Sequence, residues 1–168
     1  MANFKLTYAT MFNPPEELHT GFDKAVAKLK ENMGKEYGMF INGKEVFADE
    51  KFEDRSPINT DWVLDKMQKG NASHAQMAVD AARKAFPMWS RTPWQQRVKL
   101  LRKAASLIED RIFELGAAMA MEVGKNRMES MGDVQETADL IYYSCYQMEK
   151  NEGFIAEMGR DPLIGYES

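Results

Sequence analysis

The chain has 168 residues, of which 44% are hydrophobic and 29% are charged, and this composition is typical of a folded domain and not of a disordered chain. Its formal net charge of −4 argues against a nucleic-acid partner, and no stretch approaches the ~18 consecutive apolar residues of a membrane-spanning helix. Cys145 is the only cysteine, which excludes a disulfide within the chain and favours a reducing, cytoplasmic compartment.

The first segment, residues 1–38, is predicted to be an N-terminal arm followed by one helix. Residues 1–13 show no period. Two prolines and two glutamates at 14–17 suit a first helical turn, and Gly34 suits the helix end. Between them, apolar residues recur at helical spacing as one stripe, formed by Leu18, Phe22, Val26, Leu29 and Met33.

The second segment, residues 39–168, opens with short β-strands. The Asn42-Gly43 pair between two short runs predicts a hairpin, because both residues tolerate the positive φ of a type I′ turn. Residues 52–56 and 62–67 are predicted to form two further strands.

Three helices are predicted to follow. The first begins at Ser73, with Gln76 completing a capping box, and ends at Pro87. Its face of small residues would allow close packing, and consists of Ala78, Ala81, Ala82 and Ala85, with Phe86 beside them.

The second helix is predicted to begin at Thr92, with Gln95 as its capping-box partner, to break near Asp110 and to close at Gly124. The third runs from 127 to 150, and its inner line comprises Met131, Val134, Ala138, Ile141, Cys145 and Met148. A loose tail follows from 154 to 168. The predicted fold is mainly α with small antiparallel β elements (α+β). The few Val and Ile residues lie mostly on helix stripes, so no complete doubly wound parallel sheet is predicted.

The sequence contains only weak indications of a catalytic, nucleotide-binding or metal site. The sequence contains no phosphate-loop motif, and neither His19 nor His74 belongs to a cluster with metal-ligand spacing. Cys145 lies in phase with apolar neighbours, which favours a buried structural thiol over a nucleophile. No catalytic, cofactor-binding or metal-binding residue is therefore assigned.

Two polar groups leave alternatives open. Asp133 and Glu136 share one helix face, which fits a general acid–base pair or a solvated acidic surface. Four basic residues at 97–103 and three tyrosines at 142–146 fit a nucleic-acid surface, or a solvated helix face beside a half-buried aromatic seam. In both cases the second interpretation, a solvated protein surface without a specific function, is favoured.

Six segments, in order between Phe40 and Phe154, together resemble the opening of aldehyde dehydrogenases. They are Phe40-Ile41-Asn42-Gly43-Lys44-Glu45-Val46, Ser56-Pro57-Ile58-Asn59, residues 78–90, residues 97–105, Glu122-Val123-Gly124-Lys125, and Gly132-Asp133-Val134 with Asp139 and Tyr142-Tyr143. Residues 52–57, 90–94 and 125–129 are similar to those of the glutamate-semialdehyde (1-pyrroline-5-carboxylate) dehydrogenases within this family.

The resemblance implies the N-terminal part of a dehydrogenase NAD-binding domain. The family oxidises an aldehyde to an acid with NAD, using a cysteine nucleophile, a glutamate base and an asparagine at the oxyanion. Those positions fall in later motifs than this chain covers, and Cys145 does not match the nucleophile motif. The chain alone is thus expected to be inactive and to hold no NAD. An acid on the third helix lies near the substrate in this subfamily, which implies such a place for Glu136 and, second to it, Asp133.

Three hypotheses follow for the partners and the activity. The chain needs a complementary dehydrogenase fragment, or it associates with itself through uncovered apolar stripes, or it is an independent catalyst using Cys145 or the acid pair. The third is the weakest. Neither a nucleic acid nor a membrane is expected as a partner.

Overall fold

The computed structural model describes residues 6–7 and 13–156, so most of the predicted arm (1–13) and of the predicted tail (154–168) lies outside the described residues. The helices are α1 Glu16–Lys30, α2 Ala72–Arg91, α3 Trp94–Asp110, α4 Ile112–Val123 and α5 Arg127–Lys150, followed by a 3₁₀ turn at Glu152–Phe154. The strands are β1 Lys35–Glu36, β2 Met39–Ile41, β3 Lys44–Val46, β4 Lys51–Arg55 and β5 Val63–Gln68. Within these ranges, no helix has both the length and the apolar content needed to cross a membrane.

The strands form two small sheets. β2 and β3 make the predicted antiparallel hairpin, and its turn residues Asn42 (φ 52°) and Gly43 (φ 74°) both have positive φ, as a type I′ turn requires. β4 runs antiparallel to β5, while β1 adds a short parallel pairing on the other edge of β5. The described residues form no larger sheet, which agrees with the predicted mainly helical α+β class.

The main core joins α1 to α4 and the first half of α5. Gly116 lets α4 approach α5 closely, since a Cβ there would lie 2.9 Å from Cγ of the fully buried Met131. The buried cluster consists of Leu6, Leu18, Phe22, Ile112, Ala117, Ala120, Met131 and Val134. The predicted boundary after residue 38 lies between β1 and β2, and α1 shares this core with helices of the second segment.

A second seam joins α3 to the later half of α5. Val98 and Ala105 of α3 are buried there together with Cys145 of α5. The strand region is tied to the helices by Ser56, whose buried hydroxyl donates to the backbone oxygen of Met121 at 2.6 Å. α3 and α4 therefore both pack against α5, and the strand region is attached to α4.

The cap of α2 differs from the prediction. Asn71, not Ser73, is the N-cap: its Oδ1 accepts from the backbone N–H groups of Ser73 (3.0 Å) and His74 (3.4 Å). The Asn71 N–H in turn donates to Nδ1 of His74 at 3.1 Å, which completes a capping box without Gln76. Gln76 instead donates to Asp80. Asn71, which precedes Ser73 and has a longer side chain, therefore occupies the N-cap position.

The end of α2 and the start of α3 also differ from the prediction. α2 continues through Pro87 to Arg91, because a proline removes only one helical hydrogen bond and water can reach the freed carbonyl of an exposed helix. The Thr92 hydroxyl donates back to the Met88 oxygen at 3.0 Å, and α3 has Pro93 at its N-cap with no side-chain cap bond. The predicted break near Asp110 is confirmed at Arg111, between α3 and α4.

Candidate functional site

The turn between α4 and α5 is fixed by a cap on each helix. Gly124 ends α4 in the left-handed region (φ 74°), as predicted, and its N–H donates to the Ala120 oxygen at 3.0 Å. Asn126 begins α5, and its Oδ1 accepts from the Glu129 N–H at 3.0 Å. Lys125 is therefore held between two helix ends, with its side chain close to the first turns of α5.

Burial of one side of α5 turns its acids outward. Met131, Val134 and Ala138 are buried against the core, and their spacing of three and four residues places them on one helix face. Asp133 and Glu136 consequently lie on the opposite side of the helix, where Asp133 is partly exposed and Glu136 is exposed.

The two predicted substrate-proximal residues, Asp133 and Glu136, lie in the same cleft. Its volume is about 600 Å³. The lining residues are Leu6, Thr7, Lys125, Glu129, Gly132, Asp133, Gln135, Glu136 and Asp139. The structure therefore groups these acids into one concave surface together with Lys125.

The cleft has a negative electrostatic character. Lys125 Nζ donates a short hydrogen bond to Asp133 Oδ2, and this bond, reinforced by the charges of Asp133, Glu129 and Glu136, raises the pKa of Lys125. Asp133 is thus already neutralised in part, whereas Glu136 acts on Lys125 through charge. Such an arrangement attracts a cationic group toward Glu136.

A hydrogen-bond network anchors Gln135 and Asp139 of the cleft lining. Gln135, which is buried, donates from Nε2 to Glu109 Oε1 (3.2 Å) and to Asp139 Oδ1 (3.1 Å). The Tyr142 hydroxyl donates to Glu109 Oε2 at 3.0 Å, and burial, then the contact with Glu109, raises the pKa of this phenol. These contacts orient Asp139 and tie the cleft wall to α3.

The other candidate residues from the sequence make contacts that support the fold. Cys145 is 1% exposed, with its Sγ 3.8 Å from the Val98 oxygen, so it is the buried thiol that its helical phase predicted. His74 caps α2, and His19 contacts Arg127 at 2.7 Å. In the basic cluster, Arg102 forms an ion pair with Glu149 at 2.5 Å and lies over the Tyr142 ring.

Sequence reasoning did not identify Lys125, Gln135 or Glu109 as parts of the site. Lys125 lies in the segment that resembles the family, but its contact with Asp133 depends on the Gly124 turn. Gln135 stands out only as a polar residue next to the buried Val134, which is a weak signal. The Glu109 contact joins α3 to α5 over 26 residues, and no spacing rule gives such a contact.

Comparison with known proteins gives a consistent result. The aldehyde dehydrogenase family model matches residues 45–166. The chain is 34% identical over 129 residues to 1-pyrroline-5-carboxylate dehydrogenase of Geobacillus sp. (strain WCH70), covering 77% of this chain and 25% of that protein. It is also 34% identical over 127 residues to 1-pyrroline-5-carboxylate dehydrogenase 2 of Bacillus subtilis (strain 168), covering 76% of this chain and 25% of that protein.

Solved structures agree with the sequence relatives. The 1-pyrroline-5-carboxylate dehydrogenase from Thermus with bound NAD superposes with a TM-score of 0.85 and 30% identity, over 96% of this chain and 31% of that chain. The chain thus spans about a quarter of the length of its curated relatives. The family model covers most of the present sequence, and the chain therefore belongs to the aldehyde dehydrogenase family.

Proposed function

We propose that this chain forms the N-terminal portion of a 1-pyrroline-5-carboxylate dehydrogenase, in which the complete protein oxidises glutamate semialdehyde to glutamate with NAD. The observation that carries this proposal is the superposition on the NAD-bound Thermus enzyme over 96% of the chain at 30% identity. The sequence relatives from Geobacillus and Bacillus subtilis are also 1-pyrroline-5-carboxylate dehydrogenases, and the chain covers a quarter of each.

We further propose that the chain has no activity on its own. The only cysteine is buried on α5 and lies against the Val98 carbonyl, so it does not offer a thiolate to a substrate. Turnover therefore requires the part of a dehydrogenase that supplies the nucleophile and the base.

The described residues also do not fit NAD. A dinucleotide pyrophosphate binds free backbone N–H groups at the start of a helix that follows a strand. The strand-to-helix connection within residues 13–156 is that from β5 to α2. There the N–H groups of Ser73 and His74 already bind the Asn71 side chain. In the proposed enzyme, NAD is held by the remainder of the protein, where it accepts the hydride.

In this proposal the acidic cleft contributes to substrate binding. Glutamate semialdehyde carries an α-ammonium group, and the exposed carboxylate of Glu136 is suited to attract it. Asp133 forms the ion pair with Lys125, so its carboxylate is less available to the substrate than that of Glu136. Both acids are positioning residues and take no part in hydride transfer.

The partner and the compartment follow from the same proposal. The partner is the complementary part of the dehydrogenase, and the compartment is the cytoplasm, which a free cysteine favours. A second candidate function is a self-associating module without catalysis. It is favoured by α2, a helix of 20 residues none of which is buried.

A chimaera tests the proposed activity. The chain replaces the matching N-terminal part of the Thermus enzyme, and NADH formation from glutamate semialdehyde is followed for the chimaera and for the chain alone. We expect NADH from the chimaera and none from the chain alone. The unmodified Thermus enzyme serves as the positive control.

Two results would contradict the proposed function. One is a chimaera that folds, judged by its circular dichroism and its thermal transition, but forms no NADH. The other is the isolated chain turning over at an ordinary enzyme rate of about 1 per second or more, which would show a complete active site within these residues.

A further inference from the structure

One face of α2 is apolar from Ala78 to Trp89 and is exposed. On an α-helix, residues 78, 82, 85 and 89 follow one another at spacings of four, three and four and share one face. In this chain they are Ala78, Ala82, Ala85 and Trp89, and all four are exposed. Val79 and Phe86 extend this face to one side and are 46% and 65% exposed.

The charges of α2 lie on its opposite side. Asp80, Arg83, Lys84 and Arg91 are the charged residues of the helix, and their spacing places them away from the face defined by Ala78, Ala82, Ala85 and Trp89. Helices divided in this way bury the apolar side against another element. Here the hairpin reaches only another side, through a groove that includes Met77 and Ala81.

The composition of the face indicates what covers it. Alanine side chains are short, so the element on top can approach the helix backbone closely, and the larger Phe86 and Trp89 form a step at one end. A solvated surface has no need for such a pattern, because an uncovered apolar strip of this size is unfavourable in water. The face is therefore built for a packed and continuous covering layer.

The relatives indicate where that layer comes from. The chain superposes on 31% of the Thermus structure, so the other 69% of that fold has no counterpart in this chain. The backbone of the superposed part is nearly the same, with a TM-score of 0.85, although α2 has nothing on its apolar face here. In an α/β enzyme, helices of this kind cover the face of a sheet.

We propose that the Ala78–Trp89 face of α2 is the docking surface for the remaining part of the dehydrogenase, and that the layer on it is an apolar sheet face of that part. This inference rests on the proposed function, and it identifies the partner and the surface that the partner covers. The occupant is not a second copy of this chain.

Thiol accessibility tests the surface directly. Ala82→Cys places a thiol at the centre of the face, and Gln76→Cys places a matched thiol on the charged side of the same helix. The native Cys145 is buried, and the background labelling is measured on the unsubstituted chain and on the unsubstituted chimaera, whose Thermus part brings its own thiols. Maleimide labelling rates are measured in the isolated chain and in the chimaera with the Thermus remainder.

We expect both introduced thiols to react rapidly in the isolated chain. In the chimaera, Cys at 82 should react at least about tenfold more slowly, because a packed interface excludes the reagent, whereas Cys at 76 should keep its rate. Equal rates at 82 in the chimaera and in the isolated chain would overturn the proposal. So would a chimaera that does not fold.

Labelling of the isolated chain tests for other occupants of the face. Slow labelling at 82 that becomes slower as the protein concentration rises would mean that a second copy covers the face. Slow labelling at every concentration would mean that another segment of the same chain does. Either result overturns the proposal. Because labelling needs no turnover, a protected thiol in an inactive chimaera would refute the proposed function alone, and a reactive thiol in an active one would refute the docking surface alone.

Discussion

At the acidic cleft, Glu136 and Asp133 differ in what their carboxylates contact. Asp133 accepts from Lys125, while Glu136 is exposed to the cleft. We expect Glu136→Gln in the active chimaera to raise KM for glutamate semialdehyde about tenfold, equal to roughly 1.4 kcal/mol, with kcat changed less than twofold, because an attraction present before and during reaction is lost. Steady-state kinetics with varied aldehyde measures both constants.

The control for this prediction lies on the same helix. Glu149→Gln removes a carboxylate of α5 that pairs with Arg102 and is absent from the cleft lining, so KM should remain within twofold. A fall in kcat for Glu136→Gln with unchanged KM would assign that residue to the chemical step and contradict a binding role.

Asp65 gives a pH-dependent prediction. The strand register places Asp54 opposite Asp65, and burial, then the charge of Asp54, raises the pKa of Asp65 above its ordinary 3.8. A raised carboxyl pKa means that the fold prefers the protonated form, so stability is lost as pH rises through the folded-state value. Asp65→Asn should therefore stabilise the protein at pH 7 by up to about 1 kcal/mol.

The pH profile distinguishes this cause from a packing effect. Urea unfolding should show the gain from Asp65→Asn at neutral pH and its decline as the pH falls toward 3.8. Asp61→Asn, an exposed change in the loop before β5, should show neither. A gain that stays constant with pH would mean that the burial and repulsion of the Asp65 carboxylate are not the cause.

At the scale of whole elements, Arg127 holds α1 against the start of α5. Its guanidinium contacts His19 at 2.7 Å, donates to Asp23 and lies 4.7 Å from the centre of the Phe22 ring. We expect Arg127→Ala to destabilise the protein by about 1–2 kcal/mol, since an ion pair, a hydrogen bond and a cation–π contact are lost together. Hydrogen exchange should accelerate in α1 more than in α5.

Arg111 is the matched control for Arg127. It pairs with Glu114 three residues away at an exposed position, so Arg111→Ala removes an ion pair without separating two elements. Its cost should stay below about 0.5 kcal/mol. Equal effects of the two substitutions would show that the Arg127 contacts do not fasten α1.

Elements marked by local chemistry could be predicted from the sequence. Asn42-Gly43 correctly predicted the hairpin and Gly124 the end of α4, because a positive φ at a turn or a helix cap favours these residue types. The predicted N-cap of α2 was wrong, because Asn71 and Ser73 are both good N-cap residues and only the backbone conformation decides between them. β1 has two exposed residues and is held by backbone pairing to β5, so no side-chain pattern marks it.

The candidate site was predictable only in part, for a related reason. The spacing of Asp133 and Glu136 placed them on one helix face without any knowledge of the tertiary fold. The ion pair with Lys125 required the turn geometry, and the Gln135–Glu109 bond required the packing of α3 on α5. Contacts between distant segments depend on the whole core, and one sequence does not contain that information in local form.

At the scale of the whole molecule, stability depends on surface that this chain leaves uncovered. Its buried core involves α1, α3, α4 and α5, whereas α2 has no buried residue. We expect the isolated chain to unfold in urea with a free energy below about 5 kcal/mol. Ala82→Glu should change this value by less than about 0.5 kcal/mol, because the position is exposed in the isolated chain.

The same substitution should behave differently in the chimaera. There Ala82→Glu places a charge under the covering layer and should destabilise the protein by at least about 2 kcal/mol, while Gln76→Glu on the charged side of α2 should cost less than about 0.5 kcal/mol in both proteins. Urea unfolding followed by circular dichroism measures all four differences. An isolated chain as stable as about 10 kcal/mol would show that these residues already form a self-sufficient fold. A chimaera indifferent to Ala82→Glu would show that no layer covers this face of α2.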